Sequence, residues 1–272
     1  MTESPELYVE EHAPVGARRG TIVAVPGLAE SAGTLRITAQ NWAERGFRVL
    51  SVDPRGHGLS PRWTPELLLR HPGDVIVDDL IDTLTPLLEG DPLVFFGHSA
   101  GGSVAAAVAA TEPSGLAGVL LEDPFWRLPV TPHQDRQVAV DAAASLERLQ
   151  AMTDAERRAE ITARFPSWPL DELDEWSLAK QRMDVSLVLN GDVIPTRAWT
   201  TLLSDLAEAS VPVRIVTGTV AIGITADHRA IARSLGADVI VVDGASHFIR
   251  RDARDRFNTI ANDFIDRLVP VP

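Results

Sequence analysis

One segment, residues 94–110, constrains the fold of this chain more than any other. An apolar run at 94–96 leads into Gly-His-Ser-Ala-Gly at 97–101, and an alanine-rich stretch follows. This order predicts a β-strand, a sharp turn of the pattern Gly-x-Ser-x-Gly, and a helix. Glycines at both ends of the turn let the strand and the helix approach closely. The serine between them is then held in a strained backbone conformation with its hydroxyl projecting outward. We therefore expect Ser99 to be a nucleophile.

Two backbone amides are expected to face the oxygen of a carbonyl group that Ser99 attacks. The amide of Ala100 lies at the predicted start of the helix, where N–H groups lack intrahelical partners and can bind an anion. The other amide comes from the loop after the first predicted parallel strand, where Gly27 permits a close approach and Leu28 supplies the N–H. Leu28 and Ala100 are therefore the candidate oxyanion hole.

A serine hydroxyl is a poor nucleophile until a base accepts its proton, so a histidine is required. Seven histidines are present. His247 directly follows the last apolar strand, and parallel strands bring such loops to the same edge of the sheet as Ser99. His98 adjoins Ser99, but neighbours at this turn point to different sides, so we expect it to pack behind the turn. His57, in a turn after an earlier strand, is a weaker candidate for ligand contact.

Short apolar runs alternate with helix-like stretches, which predicts a mostly parallel, doubly wound α/β sheet. The strands are predicted at 21–25, 48–53, 93–96, 116–121, 213–217 and 239–242, with an antiparallel edge at 7–10. The alternation is interrupted between residues 124 and 195, where helical spacing, prolines and tryptophans occur. We interpret 124–195 as a helical cap inserted into a core formed by 1–123 and 196–272. Trp126, at the start of this cap, is predicted to line the substrate pocket.

The composition limits the classes of protein and partner. The chain has 272 residues, no cysteine and a formal net charge of −13. Nucleic acids and anionic membranes are therefore not expected as partners, and disulfides and thiolate catalysis are excluded. The N-terminal residues lack the features of a signal peptide, and no apolar run reaches membrane-spanning length, so we expect a cytoplasmic protein. We expect a small-molecule substrate without a metal or organic cofactor. The sequence does not indicate an oligomeric state.

Five segments, taken in order, resemble the motifs of α/β-hydrolase-fold proteins that carry a helical cap. They are Pro26–Leu28, Asp53–Ser60, Gly97–Gly102, Leu121–Pro124 and Gly244–His247. The resemblance extends over residues 20–250 and implies this fold together with a serine–histidine–acid triad. It does not specify the substrate, because the family includes esterases, lactonases, thioesterases, carbon–carbon bond hydrolases and a few ligand receptors.

The resemblance also implies a carboxylate that orients His247. In most relatives it follows the strand after the cap, but here that turn, Thr217–Gly223, contains no carboxylate. In other relatives it follows the strand that leads into the cap, which in this chain ends with Glu122 and Asp123. Side chains alternate across a strand, so only one of the two can face His247. We favour Asp123, with Glu122 as the alternative. Asp227, at a predicted helix N-cap, and the absence of an acid both stay open.

Together these residues predict a serine hydrolase that cleaves a small or medium apolar carboxylic ester or lactone through an acyl-enzyme. Carbon–carbon bond hydrolysis by the same serine and histidine is an alternative. The missing carboxylate in the turn after the cap keeps open a second alternative, which is a ligand receptor with slow or no turnover.

Overall fold

The computed structural model describes residues 6–127, 136–220 and 222–270. Its centre is a seven-stranded sheet in the order β1-β3-β2-β4-β5-β6-β7. Only β1 runs antiparallel, pairing with β3, and every other pair of neighbours is parallel. The strands are β1 Val9–His12, β2 Gly20–Val25, β3 Phe47–Val52, β4 Leu93–His98, β5 Leu116–Glu122, β6 Val213–Thr217 and β7 Asp238–Val241.

The central strands are continuous apolar runs because both of their faces are covered. Every residue of β2 and β4 is buried. Alternate side chains enter two different hydrophobic clusters: Val23 and Phe95 belong to one, and Ile22 and Phe96 to the other. A strand buried on both faces is expected where helices cover both sides of a parallel sheet. The doubly wound architecture predicted from the sequence is confirmed.

Eleven α-helices occur in the described ranges. They are α1 Arg36–Glu44, α2 Pro72–Leu84, α3 Ala100–Ala109, α4 Arg136–Gln150, α5 Asp154–Arg164, α6 Leu170–Gln181, α7 Val185–Asn190, α8 Trp199–Glu208, α9 Ala226–Ser234, α10 Ile249–Asp252 and α11 Arg254–Leu268. Helices α1 and α11 supply apolar side chains to one face of the sheet, and α2, α3 and α8 supply them to the other.

Four helices, α4 to α7, lie in the segment that the sequence analysis interprets as a cap, and we call them the cap helices. Residues 128–135 of that segment lie outside the described residues. A small apolar cluster joins α5 to α6 and includes Ile161, Trp168 and Trp176. Side chains of α5 and α6 also line a cavity together with Ser99 and His247, so these helices bound the space above the loops at the carboxyl ends of the strands.

The predicted strands agree with the structure to within two residues, and the antiparallel edge is displaced by two residues at both ends. That strand was predicted at 7–10 but extends over Val9–His12. Leu7 is buried in the core just before the strand begins, and its apolar side chain caused the displacement.

Candidate active site

Ser99 occupies the turn between β4 and α3 in a conformation that is unusual for an L-residue. Its backbone angles are φ +54° and ψ −123°, in a region that costs free energy unless the surroundings enforce it. The flanking glycines allow the close packing. A Cβ atom on Gly97 would lie 2.4 Å from the carbonyl oxygen of Gly101, and one on Gly101 would lie 2.2 Å from that of Pro26. The turn therefore requires glycine at both positions, as the Gly-x-Ser-x-Gly pattern predicts.

His247 links the serine to a carboxylate. Its Nε2 lies 2.9 Å from the hydroxyl oxygen of Ser99. Its Nδ1 bonds to the Oδ2 atom of Asp123. The imidazole lies in the loop between β7 and α10, and the carboxylate directly follows β5. Three loops from one edge of the sheet thus bring together a hydroxyl, an imidazole and a carboxylate in a continuous hydrogen-bonded chain.

Asp123 is buried and receives hydrogen bonds on both carboxylate oxygens. Besides His247, its partners are the Thr217 hydroxyl at 2.7 Å, the Gly223 amide at 2.5 Å and the Ile224 amide at 3.2 Å. Burial opposes ionisation of this group, but the hydrogen bond and charge of His247, followed by the other donors, outweigh it. The pKa of Asp123 is therefore lowered from its ordinary value. The carboxylate is held in the ionised form that can stabilise an imidazolium.

Glu122, the alternative acid, points to the opposite side of β5. Its carboxylate bonds to the backbone amide of Arg250 at 2.8 Å and to the guanidinium of the same residue. The alternation of side chains along the strand explains why adjacent carboxylates reach different partners. Asp227 does not have the predicted N-cap position: Thr225 caps α9, and its hydroxyl accepts the His228 amide. In this structure the carboxylate that contacts His247 is that of Asp123.

The turn after β6 contributes donors instead of a carboxylate. Thr217 and Gly223, at its two ends, both donate to Asp123. Gly223 also lies very close to the imidazole, since a Cβ atom there would be 3.0 Å from Cε1 of His247. Within this turn, Ala221 lies outside the described residues. The turn thus contains no acid of its own and instead binds Asp123, the acid that follows β5.

The two predicted oxyanion residues, Leu28 and Ala100, line one cavity with Ser99. Ala100 is the first residue of α3, where N–H groups lack partners within the helix. The loop that carries Leu28 packs tightly against the turn: a Cβ atom on Gly27 would lie 3.1 Å from Cβ of Ser99. The amide of Gly27 donates to Glu30 at 2.9 Å, which fixes the loop.

His98 is buried behind the turn, as predicted, and connects two parts of the site. Its Nδ1 lies 2.8 Å from a carboxylate oxygen of Glu30, and its Nε2 lies 2.9 Å from the backbone carbonyl oxygen of His247. Burial opposes ionisation of Glu30, but the charges of Arg250, His98 and Arg251 hold its pKa well below the usual range. An ionised carboxylate and a carbonyl both accept hydrogen bonds only. Each ring nitrogen of His98 therefore faces an acceptor, one on the loop after β2 and one on the loop after β7.

A buried ionic cluster extends from Glu30, and sequence reasoning did not find it. Its members are Glu30, His98, Glu122, Glu172, Arg250 and Arg251. Arg250 and Arg251 each donate to Glu30, at 2.9 and 2.8 Å. Arg251 also donates to Glu172 of α6 at 3.1 Å, so the cluster joins a cap helix to the core. The signal in the sequence was two adjacent arginines directly after Phe248 and Ile249.

Two cavities meet at Ser99 and His247. The larger, about 530 Å³, is lined mainly by apolar side chains, among them Phe125, Val193 and Ile222. The smaller, about 220 Å³, lies beneath α5 and α6 and includes charged groups. Phe165 and Phe248 line both.

Trp126 does not have the predicted position in the substrate pocket. Its ring is 3% exposed and stacks on Trp199 with a centroid separation of 4.6 Å. Phe125, one residue earlier, lines the larger cavity instead. Phe125 and Trp126 are adjacent in the sequence but have different surroundings, so the sequence identified the segment but not the correct residue. His57 is buried against the carbonyl of Arg55 and lines neither cavity.

Three or more His, Asp or Glu side chains in a metal-binding arrangement do not occur among residues 6–127, 136–220 and 222–270. In the same ranges, no helix has the length and apolar character needed to cross a bilayer.

Comparison with curated proteins gives partial matches. The chain is 32% identical over 110 residues to a monoacylglycerol lipase of Mycolicibacterium smegmatis, covering 39% of this chain and 38% of the lipase. It is 31% identical over 122 residues to lipase LipV of Mycobacterium tuberculosis, covering 44% of this chain and 42% of that protein. The chain thus spans about two fifths of the length of these curated relatives.

Comparison with solved structures covers nearly the whole chain. N-formylmaleamic acid deformylase from Pseudomonas putida superposes with a TM-score of 0.75 at 24% identity, covering 95% of this chain and 97% of that one. This likeness shows a common fold. The family profile described as Hydrolase_4, serine aminopeptidase S33, matches residues 16–252. Since this match includes strands β2 to β7, the serine turn and the histidine loop, the chain belongs to the Hydrolase_4 family and has the α/β-hydrolase fold.

Proposed function

We propose that this protein is a serine hydrolase that cleaves small or medium carboxylic esters or lactones through an acyl-enzyme. The observation that carries the proposal is the hydrogen-bonded chain from Asp123 through His247 to Ser99. A hydroxyl next to an imidazole that is itself held by a buried carboxylate is the arrangement that activates serine for attack on carbonyl carbon.

In the proposed reaction, the hydroxyl oxygen of Ser99 forms a bond to the carbonyl carbon while Nε2 of His247 accepts the hydroxyl proton. Asp123 stabilises the imidazolium, and the amides of Leu28 and Ala100 donate to the oxyanion. The bond to the leaving oxygen then breaks, and His247 returns the proton to the departing alcohol. Water then attacks the carbonyl carbon of the acyl-enzyme while His247 accepts a proton from it. The bond to Ser99 breaks, the acid product leaves, and His247 returns the proton to the oxygen of Ser99.

Two observations support an ester of limited size. The named relatives that match part of the chain are lipases, which act on ester bonds. The larger cavity, about 530 Å³, has apolar walls from Phe125, Val193 and Ile222. A cavity of this volume lies within the range of small-molecule sites, and its apolar lining favours an alkyl or aryl group of the substrate.

The alternatives from the sequence differ in what they require of the site. Carbon–carbon bond hydrolysis would use the same serine and histidine, so geometry alone does not distinguish it. The receptor alternative depended on a missing acid. The contact between Asp123 and His247 supplies that acid and favours turnover over simple binding.

A fluorophosphonate probe tests the nucleophile directly. We expect covalent labelling at Ser99, located by mass spectrometry, and loss of labelling in Ser99→Ala and His247→Ala. Ser103→Ala is a matched control, since this serine lies one turn further along α3 and its hydroxyl only bonds to the carbonyl of Phe125. Labelling at another serine, or labelling unaffected by His247→Ala, would contradict the proposal.

Hydrolysis of p-nitrophenyl esters of increasing acyl length then tests the substrate class. We expect kcat/KM to be highest for short or medium chains and low for palmitate, because the cavities enclose a limited volume. Cleavage of a β-diketone without cleavage of any ester or lactone would favour carbon–carbon bond hydrolysis. Saturable binding of these compounds with no turnover would favour a receptor.

A further inference from the structure

The smaller cavity beside Ser99 contains the single lysine of the chain. Lys180 lies near the end of α6 and lines this cavity together with Ser99 and His247. Its ammonium nitrogen donates to the carbonyl oxygen of Ala29 at 2.7 Å and lies 3.6 Å from the centre of the Trp176 ring. An ammonium group has three N–H donors. The Ala29 contact uses one, so hydrogens remain available to a ligand in the cavity.

The carboxylates that line the same cavity are already paired. Glu30 is bound by Arg250 and Arg251 beneath the floor. Glu160 pairs with Arg148 at 2.6 Å. Among the described residues, neither of these carboxylates forms a salt bridge with Lys180.

The cavity is also lined by two basic side chains that lie outside these salt bridges. Arg164, on α5, lines both cavities, and its guanidinium stacks over the ring of Phe165 at 5.2 Å. Across the three described ranges, neither Lys180 nor Arg164 forms an ion pair. The wall formed by α5 and α6 therefore presents two basic side chains, neither of them in a salt bridge, to the space next to the serine.

From this arrangement we infer that the smaller cavity binds a carboxylate carried by the substrate, held by Lys180 and Arg164. The inference rests on the proposed function, since it assigns one end of the ester that Ser99 cleaves. The substrate would have an apolar end in the larger cavity and a carboxylate at the other end. Burial lowers the pKa of Lys180 to about 7; the charge of Glu30 opposes this shift, and the charges of Arg251 and Arg164 add to it. An anion bound beside it would restore the charged form, which couples ligand binding to proton uptake.

Lys180 has a second possible role, because it also links a cap helix to the core. The experiment therefore has to distinguish this link from the binding of a carboxylate. The bond from Lys180 to the carbonyl of Ala29 joins α6 to the loop that carries the proposed oxyanion amide of Leu28. If Lys180 serves only as this tether, its removal slows every substrate by the same factor. If it binds a carboxylate, only substrates that carry one are affected.

Three esters with the same carbon skeleton make the comparison. Butyl pentanoate is the neutral reference. Monobutyl glutarate carries a carboxylate at the end of the acyl chain, and 4-(pentanoyloxy)butanoate carries it at the end of the alcohol chain. Hydrolysis is followed in a pH-stat for the wild type, Lys180→Met, Lys180→Arg and Arg164→Gln.

We expect the wild type to prefer one carboxylate ester over butyl pentanoate. Lys180→Met should lower kcat/KM for that ester by about 10- to 100-fold, mainly through KM, and for butyl pentanoate by less than about threefold. Lys180→Arg should retain most of the preference, and Arg164→Gln should reduce it. Equal losses on all three esters, or no wild-type preference for either carboxylate ester, would overturn the inference.

A second measurement uses the intact wild-type protein and so does not depend on the folding of a variant. The single lysine allows acetylation by an amine-reactive ester to be followed at one side chain, with the N-terminal amine as an internal reference. We expect glutarate, but not glutaramide, to slow acetylation of Lys180 by about fivefold or more at saturation. Equal acetylation rates with and without glutarate would overturn the inference.

The two proposals fail in different ways. If the fluorophosphonate labels Ser99 and esters are hydrolysed, but Lys180 shows neither protection nor selectivity, the carboxylate site is wrong and the hydrolase proposal stands. If glutarate protects Lys180 while Ser99 stays unlabelled and no ester is cleaved, the cavity binds carboxylates but the proposed function is wrong.

Discussion

Replacing Asp123 by asparagine, with Glu122→Gln as the matched control, tests the choice of acid. In the native site each oxygen of Asp123 accepts two hydrogen bonds: Oδ2 from His247 and Gly223, and Oδ1 from Thr217 and Ile224. An asparagine has one oxygen and one NH2 group. In either orientation the NH2 group faces a backbone N–H, so a favourable contact becomes a repulsive one.

The catalytic loss follows from the proton on His247. With NH2 at the Oδ2 position, Nδ1 of the imidazole must accept and Nε2 must carry the proton, so the imidazole cannot take the proton of Ser99. With NH2 at the Oδ1 position, the imidazole keeps an oxygen partner but loses the negative charge that stabilises its protonated form. We expect kcat to fall by about 10³–10⁴, equivalent to about 4–5.5 kcal/mol of transition-state stabilisation.

Glu122→Gln should behave in the opposite manner. It leaves the triad contacts intact but removes a charge from a buried pair with Arg250, which destabilises the fold by about 3–5 kcal/mol. Activity is measured on p-nitrophenyl butyrate and normalised to the folded fraction, determined by circular dichroism. We expect kcat per folded molecule to stay within about threefold of wild type. A larger loss in Glu122→Gln than in Asp123→Asn would refute the assignment of the acid.

Two further predictions concern stability. Glu30→Gln should lower the free energy of unfolding at pH 7 by about 3–5 kcal/mol, because it leaves Arg250 and Arg251 short of a buried counter-charge. Since the pKa of Glu30 is lowered on folding, its contribution to stability is present above the unfolded pKa of about 4.3 and decreases below it. The difference in the free energy of unfolding between the wild type and Glu30→Gln, measured by urea titration, should therefore become smaller below that pH. Glu208→Gln, at an exposed carboxylate, is the control, and an equal loss in both variants would contradict the prediction. Burial lowers the pKa of His57 to about 4, so the unfolded chain takes up this proton first as the pH falls below 6.5. The free energy of unfolding of His57→Gln should therefore decrease between pH 7 and pH 5 by about 2 kcal/mol less than that of the wild type. The same decrease in both proteins would contradict this prediction.

Local patterns in the sequence predicted much of the fold and part of the candidate site. The residues around Ser99 specify strand, turn and helix within one short segment, so the turn needs no information from elsewhere in the chain. His247 was located because parallel strands deliver their loops to one edge of the sheet. The alternation of side chains along β5 narrowed the acid to one of two adjacent carboxylates, but it could not say which face each would take.

The features that were missed depend on contacts between distant segments. Lys180 reaches Ala29 across 151 positions of the chain, and Arg250 reaches Glu30 across 220. No periodicity or spacing connects such residues. Trp126 was misplaced for a different reason: of two adjacent aromatic residues, Phe125 lines the cavity and Trp126 packs in the core, and only the packed structure shows which side chain faces the cavity.

The buried ionic cluster explains how irregular loops hold the reacting groups at fixed separations. Glu30 accepts hydrogen bonds from the backbone amide of Gly27 and from the side chains of His98 and Arg250. The other ring nitrogen of His98 bonds to the carbonyl of His247. The loop after β2, the turn after β4 and the loop after β7 are thereby bonded to one another. Apolar residues of similar volume could match or exceed the stability of such a cluster. They could not supply directional partners to the buried amide of Gly27 and carbonyl of His247, which lie outside the sheet and need hydrogen bonds. A change at Glu30 or His98 therefore acts on the loop of the proposed oxyanion amide and on the proposed base together, and their effects on kcat should be strongly non-additive in a double-mutant cycle.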